Sequence, residues 1–211
     1  MGIIQMVGRH AQLPTGVVGR LLAGFMTRTT LPSSRWTIEL LQVQPADHVI
    51  EVGFGNGASI QHLAAIAYEG RVVGVELSET MIAVATKRNA AAISDGLVEL
   101  IKSDGRTLPL RGAVFDKACT INTVYVLPEP TTVFREIHRV LKPGGTLAVT
   151  FPFRERFMKF PLAKNTPGFH FYELAEIRSA LERVGFTGLH ERTNEKVKFG
   201  CHCLIGTKPV S

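Results

Sequence analysis

The sequence predicts an α/β fold in which a doubly wound, mostly parallel sheet ends in an antiparallel hairpin. From about residue 48, short runs rich in β-branched residues alternate with helical patterns, which is typical of β-α-β units on a parallel sheet. Two strand candidates near the end of the chain are separated by a few residues, so they are expected to pair antiparallel. The 211 residues, 45% of them hydrophobic, are sufficient for one globular domain with a buried core.

Seven segments are predicted as strands from their β-rich composition and from the turn residues that bound them. The first five are assigned to the parallel part of the sheet and the last two to the hairpin. In chain order the segments are residues 48–53, 71–76, 97–102, 115–121, 146–151, 186–192 and 196–207.

Helices are predicted by the spacing of apolar residues and by the residues that stop them. One helix has an apolar face over residues 133–141, and the Pro-Gly-Gly run at 143–145 is expected to end it and turn into the next strand. A second spans residues 174–184, with Gly185 at the left-handed capping position. A third is expected to begin near Ala58 and a fourth at Trp36.

Charge and cysteine content indicate what kind of partner and which cellular compartment to expect. Lys and Arg number 24 against 18 Asp and Glu, and the resulting net charge of +6 favours anionic partners without naming one. This excess lies within residues 1–46 and 152–164. Cys119, Cys201 and Cys203 are too few and too unevenly placed to crosslink the fold, so a reducing compartment is expected, with the cytoplasm as the default.

The run Cys201-His202-Cys203 invites comparison with a metal site. On a strand the two cysteines share one face and His202 points to the other, so the three side chains cannot form a compact chelate. No metal site is therefore predicted.

The strongest chemical signal is a glycine loop after the first strand. The run Glu51-Val52-Gly53-Phe54-Gly55-Asn56-Gly57 has a glycine at every second position, which lets the backbone turn sharply and approach a ligand closely. Such a loop lies where open α/β sheets bind ligands. The alternatives are a ligand-free turn and the dinucleotide loop of a nicotinamide-dependent oxidoreductase. Against the latter, the third glycine comes one residue early and Glu51 would repel a pyrophosphate.

This order, Glu-x-Gly-x-Gly-x-Gly, resembles the first motif of class I S-adenosylmethionine-dependent methyltransferases. A carboxylate at the position of Glu51 would be favourable beside the positively charged amino acid end of that cofactor. The resemblance extends over residues 47–207 and implies a Rossmann-like, seven-stranded fold with S-adenosyl-L-methionine as cofactor. Residues 134–145 resemble small-molecule members, including the ubiquinone and menaquinone biosynthesis methyltransferases. The first cofactor-binding residues implied are Glu51, Gly53, Gly55 and Gly57.

The resemblance also implies cofactor contacts after the second strand. Glu76 ends that strand where the family places a carboxylate that accepts hydrogen bonds from both ribose hydroxyls. The alternative for Glu76 is a carboxylate at a helix N-terminus near Ser78. Leu77 and Met81 take the positions of apolar residues that line the adenine pocket, and core packing is the alternative for Met81.

Two further positions follow the third and fourth strands. Asp104, before Gly105, matches the family position that binds the adenine amino group, and an ordinary Asp-Gly turn is the alternative. Asn122 belongs to the run at 121–125 that faces the methionine portion and the methyl group. There the match is to position more than to residue type.

No catalytic triad is recognisable, which is consistent with a family whose cofactor brings an activated methyl group while the protein supplies placement. If a base is needed, the candidates are His170, Tyr125 and Tyr172. His170 and Tyr172 lie in an insert at 152–172, where family members build the acceptor site. The alternative for His170 is a surface or lid histidine.

The expected acceptor is a small hydrophobic or amphiphilic molecule, quinone-like, polyketide-like or lipid-like. Phenylalanines of the insert suit such a molecule, and the basic residues at 154–164 would attract an anionic group on it. Nucleic acid is not expected, because no Asp/Asn-Pro-Pro-aromatic motif follows the fourth strand and the net charge is modest. The alternative function is a module that binds the cofactor for regulation or assembly without methyl transfer.

The chain is interpreted as one methyltransferase domain, residues 1–211. Residues 47–207 form its α/β core, and residues 1–46 are a mostly helical N-terminal extension. Apolar residues around Arg20 and Arg28 are compatible with an amphipathic helix that covers the acceptor pocket or packs as core, with contact to a membrane surface as the alternative. Trp36 is expected to pack in the core or at the cofactor mouth. The oligomeric state is left open.

Overall fold

The structure is a computed structural model that describes residues 30–160, 164 and 168–210. The predicted amphipathic helix around Arg20 and Arg28 lies outside these residues, as does part of the insert. No helix in the described ranges is both long enough and apolar enough to cross a membrane.

Seven strands form one sheet in the order β3-β2-β1-β4-β5-β7-β6. The first five of this order pair in parallel, and β7 runs antiparallel to both β5 and β6. The predicted mixed sheet with a terminal hairpin is therefore confirmed. The strands are β1 His48–Val52, β2 Arg71–Glu76, β3 Val98–Lys102, β4 Phe115–Ile121, β5 Leu141–Pro152, β6 Thr187–Asn194 and β7 Cys201–Thr207.

Helices lie on both faces of the sheet. A short 3₁₀ turn, Val124–Val126, follows β4. The α-helices are α1 over residues 30–41, α2 Ala58–Ile66, α3 Glu79–Arg88, α4 Ala90–Ser94, α5 Pro130–Val140, α6 Arg154–Phe157 and α7 Leu174–Val184.

Two apolar clusters hold these layers together, one on each face of the sheet. Alternate residues of a strand point to opposite faces, so Ile50 packs with α5 and α7 whereas Val49 packs with α1, α2 and α3. Ile137 of α5 and Leu181 of α7 are fully buried in the first cluster. The helix spacing read from the sequence therefore identified real core faces.

Helix ends follow the predicted capping residues. Gly185 ends α7 with φ of 109°, a left-handed conformation that glycine adopts without a steric penalty. Glu173 and Glu176 form a reciprocal capping box at the other end of the same helix. Gly57 immediately precedes α2, which begins at the predicted Ala58.

Three predicted boundaries are wrong. The Pro-Gly-Gly run at 143–145 lies inside β5, because an irregularity in the pairing with β4 accommodates it and Gly144 and Gly145 bond to the backbone of Lys208. Strand β7 begins at Cys201 instead of residue 196, since the preceding residues form a turn. Trp36 lies within α1, where it packs partly buried against the second cluster.

The packing of α5 predicts a measurable loss of stability. Ile137→Ala should lower the free energy of unfolding by about 2–5 kcal/mol, because it removes buried methyl groups and leaves a cavity. Arg135→Ala on the exposed face of the same helix should change it by less than about 0.5 kcal/mol. Urea denaturation of the two variants makes the comparison, and equal losses would contradict the packing described.

Candidate functional site

The glycine loop at the carboxyl end of β1 adopts a backbone that requires glycine. Gly53, Gly55 and Gly57 have φ of 83°, 57° and 74°, all in the left-handed region. A Cβ on Gly53 would overlap the side chain of Thr123, whereas a Cβ on Gly55 would meet nothing within 4 Å. The loop is thus packed against the protein on one side and open on the other.

A crevice of about 560 Å³ lies at the open side of this loop. Six of the residues predicted to serve the site line it, namely Glu51, Gly53, Gly55, Met81, Asn122 and Tyr125. Helix α1 adds Thr30, Leu31 and Ser34 to its wall. The crevice therefore forms where the carboxyl ends of β1 and β4 meet, as the topology of an open α/β sheet requires.

Glu51 is buried at the base of this crevice, with 2% of its surface exposed. Its Oε1 accepts a hydrogen bond of 2.8 Å from the Ser59 hydroxyl, and its Oε2 has no partner among the described residues. Burial outweighs the opposing hydrogen bond from Ser59 and, with a smaller contribution from nearby Glu76, raises the pKa of Glu51 to about 7. A bound ammonium group would supply the missing partner and favour the ionised carboxylate.

Glu76 connects the end of β2 to the glycine loop. Its Oε2 accepts a hydrogen bond of 3.0 Å from the Gly55 amide, and its Oε1 accepts bonds of 2.9 Å from the amides of Leu77 and Ser78. The Ser78 hydroxyl in turn accepts from the Met81 amide and caps α3. The carboxylate of Glu76 is therefore fixed beside the loop, and its predicted bonds to ribose hydroxyls stay a prediction.

The two apolar residues predicted for the adenine pocket differ in their environment. Met81 is 2% exposed and lines the crevice, a position that serves both core packing and ligand contact. Leu77 is 44% exposed and lies outside the described lining of the crevice. An adenine contact for Leu77 stays a prediction.

Asp104 and Gly105 also lie outside the described lining of the crevice. The Asp104 side chain is 48% exposed, and its Oδ1 accepts a bond of 2.9 Å from the Arg106 amide, which forms the Asx turn considered as the alternative. Gly105 is buried, and a Cβ there would lie 3.1 Å from Val52 and 3.4 Å from Val133. The described geometry accounts for both residues as a turn, and the adenine role stays a prediction.

Asn122 attaches the N-terminal helix to the crevice. It has φ of 54° after β4, and its Nδ2 donates a bond of 2.8 Å to the Ser33 hydroxyl of α1. The hydroxyls of Thr37 and Thr150 share a bond of 2.7 Å deeper in the same interface. These residues of α1 were missed by sequence reasoning, because single Ser and Thr residues on a helix give no local signal for a contact with β5 or with the residue after β4.

All three candidate bases line one small cavity, and Tyr125 alone among them also lines the crevice. Tyr125 lines the crevice, and burial raises its pKa to about 12, so its hydroxyl stays protonated at neutral pH. The His170 ring stacks on the Tyr172 ring with centroids 5.9 Å apart, and the Tyr172 hydroxyl donates a bond of 2.7 Å to the carbonyl oxygen of Leu127. Of the three, only Tyr125 is placed at the crevice, and the base roles stay predictions.

The Cys-His-Cys run has the alternation expected of a strand. Cys201 and Cys203 are buried, whereas Nδ1 of His202 lies 2.6 Å from Oε1 of Glu191 on β6. Burial raises the pKa of the Cys201 thiol to about 12 and that of Cys203 to about 11, so both stay protonated at neutral pH. Among the described residues, no group of three His, Cys, Asp or Glu side chains is placed to hold a metal ion.

Comparison with known proteins bears directly on this crevice. A family described as methyltransferase domain matches residues 50–149, which contain the glycine loop and Glu76. The uncharacterized methyltransferase YdaC of Bacillus subtilis is 31% identical over 136 residues, which cover 64% of this chain and 73% of that protein. The chain belongs to the class I S-adenosylmethionine-dependent methyltransferases. The resemblance and the cofactor expected from the sequence are thereby confirmed.

Other methyltransferases match in part or in fold. The demethylmenaquinone methyltransferase of Symbiobacterium thermophilum is 34% identical over 124 residues, so the match covers 56% of this chain and only about half, 48%, of that protein. A Haloferax volcanii structure, described as a complex between the Trm112 methyltransferase activator and a methyltransferase candidate, contains a chain that matches with a TM-score of 0.75 at 20% identity. That match covers 90% of this chain and 94% of the other, which shows the same fold.

Removal of the Glu76 carboxylate should disrupt cofactor binding. Glu76→Ala is expected to weaken binding of S-adenosyl-homocysteine by about 10- to 100-fold, because it removes at least one charge-assisted hydrogen bond to the ligand. The substitution also leaves the Gly55 amide without its acceptor. Glu79→Ala, which removes an exposed carboxylate of the next helix, serves as the control. Calorimetric titration compares the two, and unchanged affinity in Glu76→Ala would contradict the ribose role.

The pKa of Glu51 predicts how stability of the ligand-free protein depends on pH. Between pH 4.5 and about 7 the unfolded chain releases a proton that the folded protein retains, so stability falls as pH rises through this range. At about 1.4 kcal/mol per pKa unit, the loss between pH 5 and pH 8 is about 2–3 kcal/mol. Glu51→Gln should lack this loss.

Urea denaturation of wild type and Glu51→Gln at the two pH values measures the difference directly. All other titrating groups are common to both proteins, so their contributions cancel in the difference between the two free energies of unfolding. The change in that difference between the two pH values reports on Glu51. Parallel pH profiles would show that Glu51 has an ordinary pKa.

Proposed function

We propose that the protein transfers the methyl group of S-adenosyl-L-methionine to a small hydrophobic or amphiphilic acceptor. The observation that supports this most directly is a second cavity of about 390 Å³ next to the crevice. Thr30, Asn122 and Tyr125 line both spaces, so a molecule in the second cavity would lie beside one in the crevice.

The residues that line the crevice, together with Glu76 beside the loop, fit the cofactor. The Oε2 of Glu51, which has no partner among the described residues, suits its ammonium group, and the Glu76 carboxylate suits its ribose hydroxyls. Buried Met81 supplies an apolar wall for the adenine ring. When bound, S-adenosyl-L-methionine supplies a methyl group on a sulfonium, and its transfer leaves the electron pair of the broken bond on sulfur.

The chain's own contribution is placement and exclusion of water. Helix α1, held by the Ser33–Asn122 hydrogen bond, forms one wall of both cavities. Correct alignment of the reacting atoms is worth about 7–11 kcal/mol of barrier in intramolecular analogues, so the proposal needs no strong base at the junction. Tyr125, protonated at neutral pH, acts there as a hydrogen-bond donor.

The lining of the second cavity supports an apolar acceptor. Pro152, Phe157 and Phe199 contribute to its wall, and the Phe157 ring packs 4.8 Å from the Tyr125 ring between centroids. The name of the demethylmenaquinone methyltransferase relative also points to a quinone-like acceptor. A polyketide-like or lipid-like acceptor would also fit the apolar lining of this cavity.

Two of the basic residues expected to attract an anionic acceptor have partners within the protein. Within the basic run at 154–164, Arg154 forms an ion pair with Glu173, and Arg156 forms one with Glu195. Half of the four basic residues in that run are thus neutralised locally.

The proposal also includes a cytoplasmic location, which the three free and buried cysteines support. It includes no nucleic acid partner.

Methyl transfer is tested with isotopically labelled cofactor and a panel of hydroquinones, polyketide phenols and fatty acids. The expected result is a labelled product one methylene heavier than its acceptor, together with S-adenosyl-homocysteine. Glu76→Ala should slow product formation at a cofactor concentration that just saturates the wild type, because its weaker binding lowers the occupancy of the crevice. A protein that binds the cofactor but yields no product across the panel and a cell extract would favour the regulatory alternative.

A further inference from the structure

We infer that the second cavity selects planar aromatic acceptors that carry an acidic group, which Lys198 binds at the mouth. This inference rests on the proposed function and narrows its acceptor class. It is carried by the juxtaposition of aromatic walls with one ammonium group in the turn between β6 and β7, a segment that sequence reasoning had assigned to a strand.

The walls of the cavity are flat as well as apolar. Phe157 lies at the centre of a group of aromatic rings, with its centroid 4.8 Å from that of Tyr125 and 5.5 Å from that of Phe199. Aromatic rings stack or pack edge-to-face on one another with a gain beyond their buried area. A planar ring system would therefore gain more in this cavity than a flexible aliphatic chain, which would also lose rotamer freedom.

The charges of the two adjoining spaces are opposite. Among the described residues lining the second cavity, Lys198 is the only charged one, whereas Glu51 is the only charged one in the cofactor crevice. The Lys198 ammonium lies 5.0 Å from the ring centroids of both Phe160 and Phe199, which fixes it next to the aromatic wall. An acid on the acceptor would pair with Lys198 while the opposite end of the ring faces Asn122 and Tyr125.

A third cavity of about 220 Å³, lined by His170 and Arg154, is the competing acceptor site. It shares only Tyr125 with the described lining of the cofactor crevice, and it shares Tyr125, Pro152 and Phe157 with the second cavity. The second cavity is larger and shares three residues with the crevice. An acceptor bound beside Lys198 therefore occupies the space that adjoins the crevice more extensively.

The test measures binding of three probes to the full chain saturated with S-adenosyl-homocysteine, by calorimetry up to millimolar concentration. The probes are 2-naphthoate, its uncharged counterpart 2-naphthamide, and decanoate. The expected order is naphthoate, then naphthamide, then decanoate. Lys198→Met should weaken naphthoate by about 3- to 5-fold, as for an ion pair near solvent, and leave naphthamide unchanged within about 2-fold.

Two further variants test whether the loss of naphthoate affinity is specific to Lys198 and whether the naphthyl probes bind in the second cavity. Lys196→Met removes an exposed ammonium from the same turn outside the cavity lining and should change neither naphthyl probe. Val197→Trp, which fills the cavity from its wall, should weaken both naphthyl probes by about 10-fold or more. Binding of S-adenosyl-homocysteine should stay within about 2-fold in all three variants, which reports that the fold and the cofactor crevice are intact.

The outcomes separate the two proposals. If naphthoate fails to bind, loses no affinity in Lys198→Met, or binds no better than decanoate while S-adenosyl-homocysteine binds normally, the acceptor inference is overturned and the proposed methyl transfer stands. If S-adenosyl-homocysteine itself does not bind the wild type, the proposed function fails first. Equal weakening by Lys196→Met would show a general charge effect and would also overturn the role of Lys198.

Discussion

The Glu51 carboxyl lies buried at the end of β1, one of its oxygens has no partner in the part of the chain that the structure describes, and the ligand preference of the crevice depends on this carboxyl. An unpaired carboxyl in a dry site is costly, so the group holds its proton up to about pH 7 when nothing positive is near. A cation in the crevice lowers that cost, whereas a pyrophosphate would raise it. The same residue therefore favours a sulfonium nucleoside with an ammonium end and disfavours a dinucleotide.

The loop above Glu51 is held by elements that come later in the chain. The Gly53 amide donates a bond of 2.8 Å to the Val75 carbonyl oxygen, and the Gly55 amide bonds to Glu76 at the end of the same strand. The Asn89 side chain, at the end of α3, donates to the Gly57 carbonyl oxygen at 3.1 Å. Because each loop glycine is fixed from β2 or α3, the crevice is formed before a ligand arrives, and less binding free energy is lost to ordering.

Sequence reasoning succeeded where the signal is local. The bounds of β2 and β4 match the structure, because β-rich runs are bounded there by turn residues. It failed where a distant partner decides the structure. The Pro-Gly-Gly run is a typical turn signal, yet the chain there continues in β5 because Lys208, more than sixty residues later, bonds to its backbone.

In the candidate site, too, features with a local sequence signal were predictable and features that depend on a distant residue were not. The glycine loop carries its own conformational signature, so its position was predictable from spacing alone. The attachment of α1 to the crevice was not, since the Ser33–Asn122 bond joins residues 89 positions apart. The turn before β7 was missed because Phe199 adopts φ of 68°, a conformation its residue type does not predict.

The composition of the two adjoining cavities bears on why no base is recognisable. None of the described residues lining either cavity is a histidine, and Tyr125, which both share, holds its proton up to about pH 12. A protonated amine, an alcohol or a carbon acid would need such a base to become nucleophilic. An acceptor atom that is already nucleophilic at neutral pH, such as the oxygen of a phenol with a lowered pKa, would not need one. Lys198 would hold the acidic group at the far end of such an acceptor, so the lack of a nearby base restricts the atom that is methylated at the near end, beside Asn122 and Tyr125.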